Sequence, residues 1–265
     1  MKILWATDIH LNLADSQTLD DFCYRITSIK PDAVLIGGDI ADSTSLITTL
    51  LALEAKIQCP IYFVLGNHDY YHSSISAIRK QVGDVTDSTT YLKYLGNTGV
   101  VKLTATTCLI GHDSWSDGRC GNYYKSNVML NDYKLINDFK SLDKQARLIK
   151  LHKLGDEAAS FFRQQLTEAL LNFQHIIVLT HVPPFAEACW YEGNLSNDDF
   201  LPHFSCKATG EVFIELMRKY PDKNLTILCG HTHSGGVAQI LPNLVVRTGG
   251  AVYGQPNIQD PIFIK

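Results

Sequence analysis

Short apolar runs rich in Val, Ile and Leu recur along the chain, and each stops abruptly at polar residues. Residues 3–6 run into Thr7-Asp8, residues 33–36 into Gly37-Gly38-Asp39, and residues 61–65 into Gly66-Asn67-His68-Asp69. Farther on, residues 108–110 lead to Gly111-His112-Asp113, residues 176–179 to Thr180-His181, and residues 225–229 to Gly230-His231-Thr232-His233. Brief continuous runs of this kind suit strands buried on both faces. Between the first of them the period changes: Leu19, Phe22, Cys23, Ile26 and Ile29 form a stripe on one helix face, and Pro31 ends that helix. Further helices are predicted over residues 43–56, 73–82, 143–172 with a break near Gly155, and 210–220, with a strand-rich close over 226–264. Alternating strands and helices predict an α/β fold, and with neither a repeat nor a linker, residues 1–265 read as one domain. Residues 114–131, polar and aromatic, read as a long functional loop.

Composition narrows the class. With 45% hydrophobic and 19% charged residues the chain is globular rather than disordered. Its longest apolar run, residues 61–65, is far short of the ~18 residues of a membrane span. The apolar stretch at residues 3–6 is too short for the ~7 to 15 residue core of a secretory signal, so a cytoplasmic location is expected. The seven cysteines are an odd number with no close pair, which signals neither a disulfide framework nor a Cys-rich zinc site. A net charge of -4 with no run of three like charges makes nucleic acid an unexpected partner.

The strand ends carry the chemistry: Asp8 and His10, Asp39, Asn67 and His68, His112 and Asp113, His181, then His231 and His233. Imidazole and carboxylate without thiolate suit divalent Mn, Fe, Zn or Ni, and fit calcium or an iron-sulfur cluster poorly. If extended geometry continues one step past each strand, Asp8 with His10 and His231 with His233 point the same way. Two closely spaced ions need a shared ligand, and the carboxylate of Asp39 is the best candidate, with Gly37 and Gly38 beside it leaving room for close approach.

The ordered set Asp8-Ile9-His10, Gly38-Asp39-Ile40-Ala41-Asp42, Gly66-Asn67-His68-Asp69, a lone His181 and Gly230-His231-Thr232-His233 resembles the calcineurin-like metallophosphoesterase family. These blocks stand in family order and span most of the chain. The resemblance implies two mixed β-sheets packed face to face and flanked by helices. It implies one ion on Asp8, His10, Asp39 and His233 and another on Asp39, Asn67, His181 and His231, with Asp39 bridging. His68 would face the phosphoryl group, stabilising charge or protonating the leaving oxygen. Asp42 would pair with His68 and raise its pKa, although Asp42 also suits the N-cap of the next helix.

The implied activity is hydrolysis of a small-molecule phosphoester by a metal-bound hydroxide. Protein serine/threonine phosphatases of the superfamily continue the second block as Asp-Arg-Gly and end the third in Glu, whereas this chain has Asp42-Ser43-Thr44 and Asp69. Purple acid phosphatases place a ligating Tyr where Asp42 stands. The pattern is closer to the phosphodiesterase and small-phosphoester branch. A phosphomonoesterase, a repair-type nuclease and a metal-binding interaction scaffold are the alternatives. His112 and Trp115 are candidates for lining the substrate pocket, with a simple turn as the competing reading. Cys189-Trp190-Tyr191 is a candidate for stacking a planar group, while His72, His152, His175 and His203 read as ordinary.

Overall fold

The computed structural model describes all 265 residues. Its first part is β1 (Lys2–Ala6), α1 (Ser16–Ile29), β2 (Ala33–Gly37), α2 (Leu46–Ile57), β3 (Ile61–Val64), α3 (Ile75–Ser88) and β4 (Leu92–Tyr94). Local chemistry sets these boundaries: the side chains of Asp15 and Ser74 accept from backbone N–H groups at the starts of α1 and α3, and Lys30, left-handed before Pro31, closes α1. Helix α3 continues to Ser88, beyond the predicted limit at Val82.

The second part is β5 (Val101–Lys102), β6 (Thr107–His112), α4 (Asp132–Leu135), α5 (Lys144–Asn172), β7 (His175–Thr180), β8 (Trp190–Tyr191), β9 (Asn194–Leu195), α6 (Leu201–Phe204), α7 (Lys207–Lys219), β10 (Asn224–Cys229), β11 (Gly236–Leu241), β12 (Leu244–Thr248) and β13 (Ile262–Phe263). The predicted break at Gly155 is absent. A Cβ there would lie 2.5 Å from Asp117 Cβ, so this glycine lets the loop after β6 pack against an unbroken helix.

One sheet has the order β13-β1-β2-β3-β4, the other β11-β12-β10-β7-β6-β5. Ile3, Trp5, Leu35, Val64, Leu109 and Leu228 belong to the apolar layer between them. Outside the first sheet, Phe22, Leu50 and Ile78 of α1 to α3 join Leu148 and Leu151 of α5; outside the second, Phe162 and Leu166 of α5 join Phe213 and Met217 of α7. Helix α5 thus straps both halves, and the architecture is two mixed sheets face to face with helices outside. Parallel pairing keeps the strand ends level: Ala6 pairs with Ile36, Ile36 with Phe63, and Leu228 with Leu179. Loops carrying Asp8, Asp39, Asn67, His181 and His231 therefore meet at one rim, where ligands of parallel sheets bind. All seven cysteines are unpaired, and no helix is long and apolar enough to cross a membrane.

Candidate metal centre

The backbone bends sharply as it leaves the strands. Asp8, His10, Asp39, His231 and His233 all have φ between +41° and +71°, a region that costs a non-glycine residue on the order of 1 to 3 kcal/mol. The anticipated extended continuation is therefore absent; left-handed turns bring the side chains together instead. Cross-links hold them in place: Asp8 N donates to Gly38 O at 3.0 Å, His10 N to Asp39 O at 2.9 Å and Gly230 N to His181 O at 2.9 Å. Gly38, at φ +91°, has Gly66 N only 2.6 Å from where a Cβ would stand.

Asp8, His10, Asp39 and His233 form one group whose potential ligand atoms lie within 4.8 Å of one another. His233 Nε2 is 3.3 Å from Asp8 Oδ1 and 3.1 Å from His10 Nε2, which is 3.7 Å from Asp39 Oδ2. Burial pushes His10 down to about 3, so it is neutral, and pushes Asp39 well up, reinforced by the carboxylates of Asp8 and Asp69. Burial would raise Asp8 as well, but the hydrogen bond to His233 and the nearby imidazoles reverse the sign. For His233 burial would lower the pKa, and Asp8 outweighs it.

His231 does not turn with His233. It faces Asn67 instead, whose Oδ1 lies 2.9 Å from His231 Nδ1 and 3.0 Å from His181 Nε2, and His181 Nε2 lies 3.4 Å from Asp39 Oδ1. The outer ring nitrogens are committed: His181 Nδ1 donates to Gly37 O at 2.8 Å and His231 Nε2 to His203 O at 3.0 Å. Burial lowers His231 to about 3, keeping it neutral. With Nε2 donating to the His203 carbonyl, its inner Nδ1 is then a lone-pair acceptor. Asn67 Nδ2 donates outward to Asp132, so its oxygen points inward. At His231 an acceptor consequently faces the acceptor oxygen of Asn67, an arrangement a cation satisfies. The residues fit divalent ions of the nitrogen- and oxygen-binding kind.

Asp39, Asn67, His68, His231 and His233 open onto a cleft of about 250 Å³ walled by Tyr71, Tyr191, Phe204 and Tyr253. His68 Nε2 is 3.9 Å from Asp39 Oδ2, its backbone N–H donates to Asp39 Oδ1, and Tyr71 packs on its ring at 4.3 Å between centroids. The expected His68–Asp42 pair is not formed. Asp42 accepts from Thr44 N, Thr44 Oγ1 and Ser45 Oγ, holding the turn into α2, and burial lowers His68 to about 4 despite a small opposing effect of Asp42. His112 and Trp115 do not wall the cleft. His112 is buried beside Phe161 and Phe162 with Nδ1 accepting from Ser114 N, and Trp115 packs between Tyr70 and Phe139 behind the site. Tyr191 reaches the cleft, whereas Trp190 lies against Gly236.

Several contributors had no specific role assigned from sequence, although Asp69 lies in a motif block and Asp113 among the polar strand-end residues. Asp69 clips two site loops together, accepting from Ile40 N, Ala41 N and Gly66 N. Asp113 binds Leu65 N, Tyr70, Tyr94 and Arg79. Tyr253 lies 4.5 Å from His10 and 4.7 Å from His233 between ring centroids. Asp69 and Asp113 were visible in the sequence, whereas nothing around Tyr253 marked it.

Comparisons with known proteins place the chain. The family model described as calcineurin-like phosphoesterase matches residues 1–235. A bovine (Bos taurus) transmembrane protein with metallophosphoesterase domain is 36% identical over 80 residues, which are 29% of this chain and 18% of that protein. A probable cyclic nucleotide phosphodiesterase of Pseudoalteromonas sp. is 34% identical over 83 residues, 26% of this chain and 31% of that protein. The matches thus span less than a third of either relative. Among solved structures, a phosphopantetheinyl hydrolase from Mycobacterium tuberculosis superposes with a TM-score of 0.66 at 14% identity, covering 96% of this chain and 90% of the other. A dimetal phosphatase from Danio rerio gives 0.57 at 14% identity, covering 94% and 87%. At these identities the structures speak for the fold, and the family model, with its match over most of the sequence, for the lineage: the chain belongs to the calcineurin-like phosphoesterase family.

Proposed function

We propose that the chain is a phosphodiesterase working with two divalent transition-metal ions. Asp8, His10, Asp39 and His233 would hold one ion, and Asp39, Asn67, His181 and His231 the other. When bound, such ions supply Lewis acidity toward the phosphoryl oxygens and make water nucleophilic at neutral pH. The observation that carries the diester reading is the cleft lining, which has histidines, Asp132 and four aromatic rings but no lysine or arginine. A monoester dianion brings more negative charge than a diester monoanion, and a cleft without fixed side-chain cations compensates the monoanion better. Tyr71, Tyr191, Phe204 and Tyr253 offer apolar faces to a planar ester arm. The relative named a probable cyclic nucleotide phosphodiesterase points the same way.

His68 is the group in the cleft suited to assist the leaving oxygen. Being neutral, it acts as an N–H hydrogen-bond donor to phosphoryl or departing oxygen rather than as a stored imidazolium. Asp42 supports it only through its field, with its own hydrogen bonds spent on α2. The test is the initial rate on bis(p-nitrophenyl) phosphate against p-nitrophenyl phosphate, with protein stripped by chelator and reloaded with Mn²⁺. The expected result is metal-restored hydrolysis favouring the diester. Preference for the monoester would establish a phosphomonoesterase instead, and no turnover of either with both ions bound would turn attention to a scaffold role.

A further inference from the structure

Two adjacent residues of the short helix α4 reach the same ligand set by separate routes. Asp132, 2% exposed, accepts from Asn67 Nδ2 and from the Tyr71 hydroxyl, each at 2.8 Å. The Tyr133 hydroxyl pairs with His203 Nδ1, and the carbonyl of His203 receives His231 Nε2 at 3.0 Å. The remaining His203 nitrogen meets Ser126 Oγ at 3.1 Å, so the loop before α4 joins the same tether. His203, with no motif around it, is thus a structural anchor of the site. Asp8, His10 and His233 have no hydrogen bond to α4.

The amide of Asn67 can be turned over without changing its shape. Its orientation is decided by partners alone. With Asp132 in place the NH₂ faces outward and the oxygen faces His181 and His231. Without that acceptor, the reversed amide would donate to the two inner nitrogens and occupy the lone pairs an ion needs. We infer that α4 is a positioning element for one ion of the pair: Asp132 by fixing Asn67, and Tyr133 by fixing His231 through His203, set the affinity of the Asn67–His181–His231 site and leave the Asp8–His10–His233 site unchanged. The inference rests on the two-ion reading.

Metal-free wild type, Asp132→Ala, Asp132→Asn and Tyr133→Phe would be titrated calorimetrically with Mn²⁺, bound metal counted by elemental analysis, and folding checked by circular dichroism. Wild type should take up two ions. Asp132→Ala should bind one as wild type does and the other about 10- to 100-fold more weakly, the usual effect of losing an outer-shell partner. Asp132→Asn keeps an acceptor oxygen at the same place and should recover most of the loss, which a merely structural role would not predict. Tyr133→Phe should weaken the same ion, and it carries the test if Asp132→Ala does not fold. Unchanged binding in both variants, equal weakening of both ions, or an Asp132→Asn protein as impaired as Asp132→Ala would overturn the inference. Fewer than two ions on the wild type would bring down the two-ion reading itself, and this inference with it.

Discussion

Asp39 carries the greatest chemical weight of any single residue. Its Oδ1 is 3.4 Å from His181 Nε2 and its Oδ2 is 3.7 Å from His10 Nε2, so the two histidine groups meet on one carboxylate. Asp39→Ala should therefore lose both ions rather than one, read by elemental analysis after exhaustive dialysis; an Asp39→Ala enzyme that retained activity would contradict a shared ligand. His68 belongs to neither group. His68→Ala should keep both ions and lower kcat by about 10² to 10⁴, the usual contribution of proton-transfer or hydrogen-bond assistance. Loss of an ion in that variant would instead make His68 a ligand. Asp42 should matter much less. With its carboxylate committed to Thr44 and Ser45 in the turn before α2, Asp42→Ala should cost roughly 1 kcal/mol of stability, the usual net worth of a hydrogen bond, with little change in kcat.

Elements are held to one another by buried carboxylates that hydrogen-bond across them. Asp113, just past β6, accepts from Leu65 N just past β3, from Tyr94 in β4, from Tyr70, and from Arg79 in α3 at 3.0 Å. Removing it takes the acceptor from four donors, one of them the Arg79 guanidinium, so Asp113→Ala should destabilise by about 3 to 5 kcal/mol, measurable by urea unfolding. Burial alone would raise the Asp113 pKa, but Arg79, His112 and the hydrogen bonds from Tyr94 and Leu65 outweigh burial and hold it low. In the folded state this carboxyl binds protons less readily than in the unfolded chain. Its stabilisation is therefore fully present above the unfolded value near ~4 and is lost as the pH falls below it. Urea midpoints taken between about pH 6 and pH 3 should fall, and Asp113→Asn should flatten that fall. Absence of any difference between the two acid limbs would remove Asp113 from the account.

On the scale of the whole molecule, the rim between the sheets concentrates groups that suit each other only around cations. Burial pushes Asp39 well up, helped by the neighbouring carboxylates, and neutral His231 presents a lone pair to the Asn67 oxygen. Ion binding should therefore stabilise the fold. An ion held at 100 times its dissociation constant contributes about 2.7 kcal/mol, which for a chain of this size is roughly 5 to 10 °C in Tm. Thermal melts with chelator and with Mn²⁺ would show it, and identical melts would mean that the native rim binds no ion.

The order of strands and helices, their burial on two faces and the residue types at the strand ends were legible in the sequence, because hydrophobic period and ligand chemistry are local properties. Residues 3–6, 33–36 and 61–65 mark β1 to β3 within a residue or two, and the same runs end at Asp8, Asp39 and Asn67. What the sequence could not decide was direction and partnership. His231 and His233 stand two apart yet face different groups, because each sits in a left-handed turn rather than in an extended strand. Asp42, next to an N-terminal helix turn, found its hydrogen bonds there before it could reach His68. Gly155 reads as a helix breaker in isolation and is a packing surface for Asp117 in the fold. Asp132, Tyr133 and His203 have no local signature at all: they matter only because the fold brings residues 28 to 70 positions apart into hydrogen-bond range, as for Asn67 and Asp132, separated by 65. Sequence specified the donor chemistry gathered at this rim, and tertiary structure decided which atom each side chain turns inward, since orientation depends on partners that only the folded chain supplies.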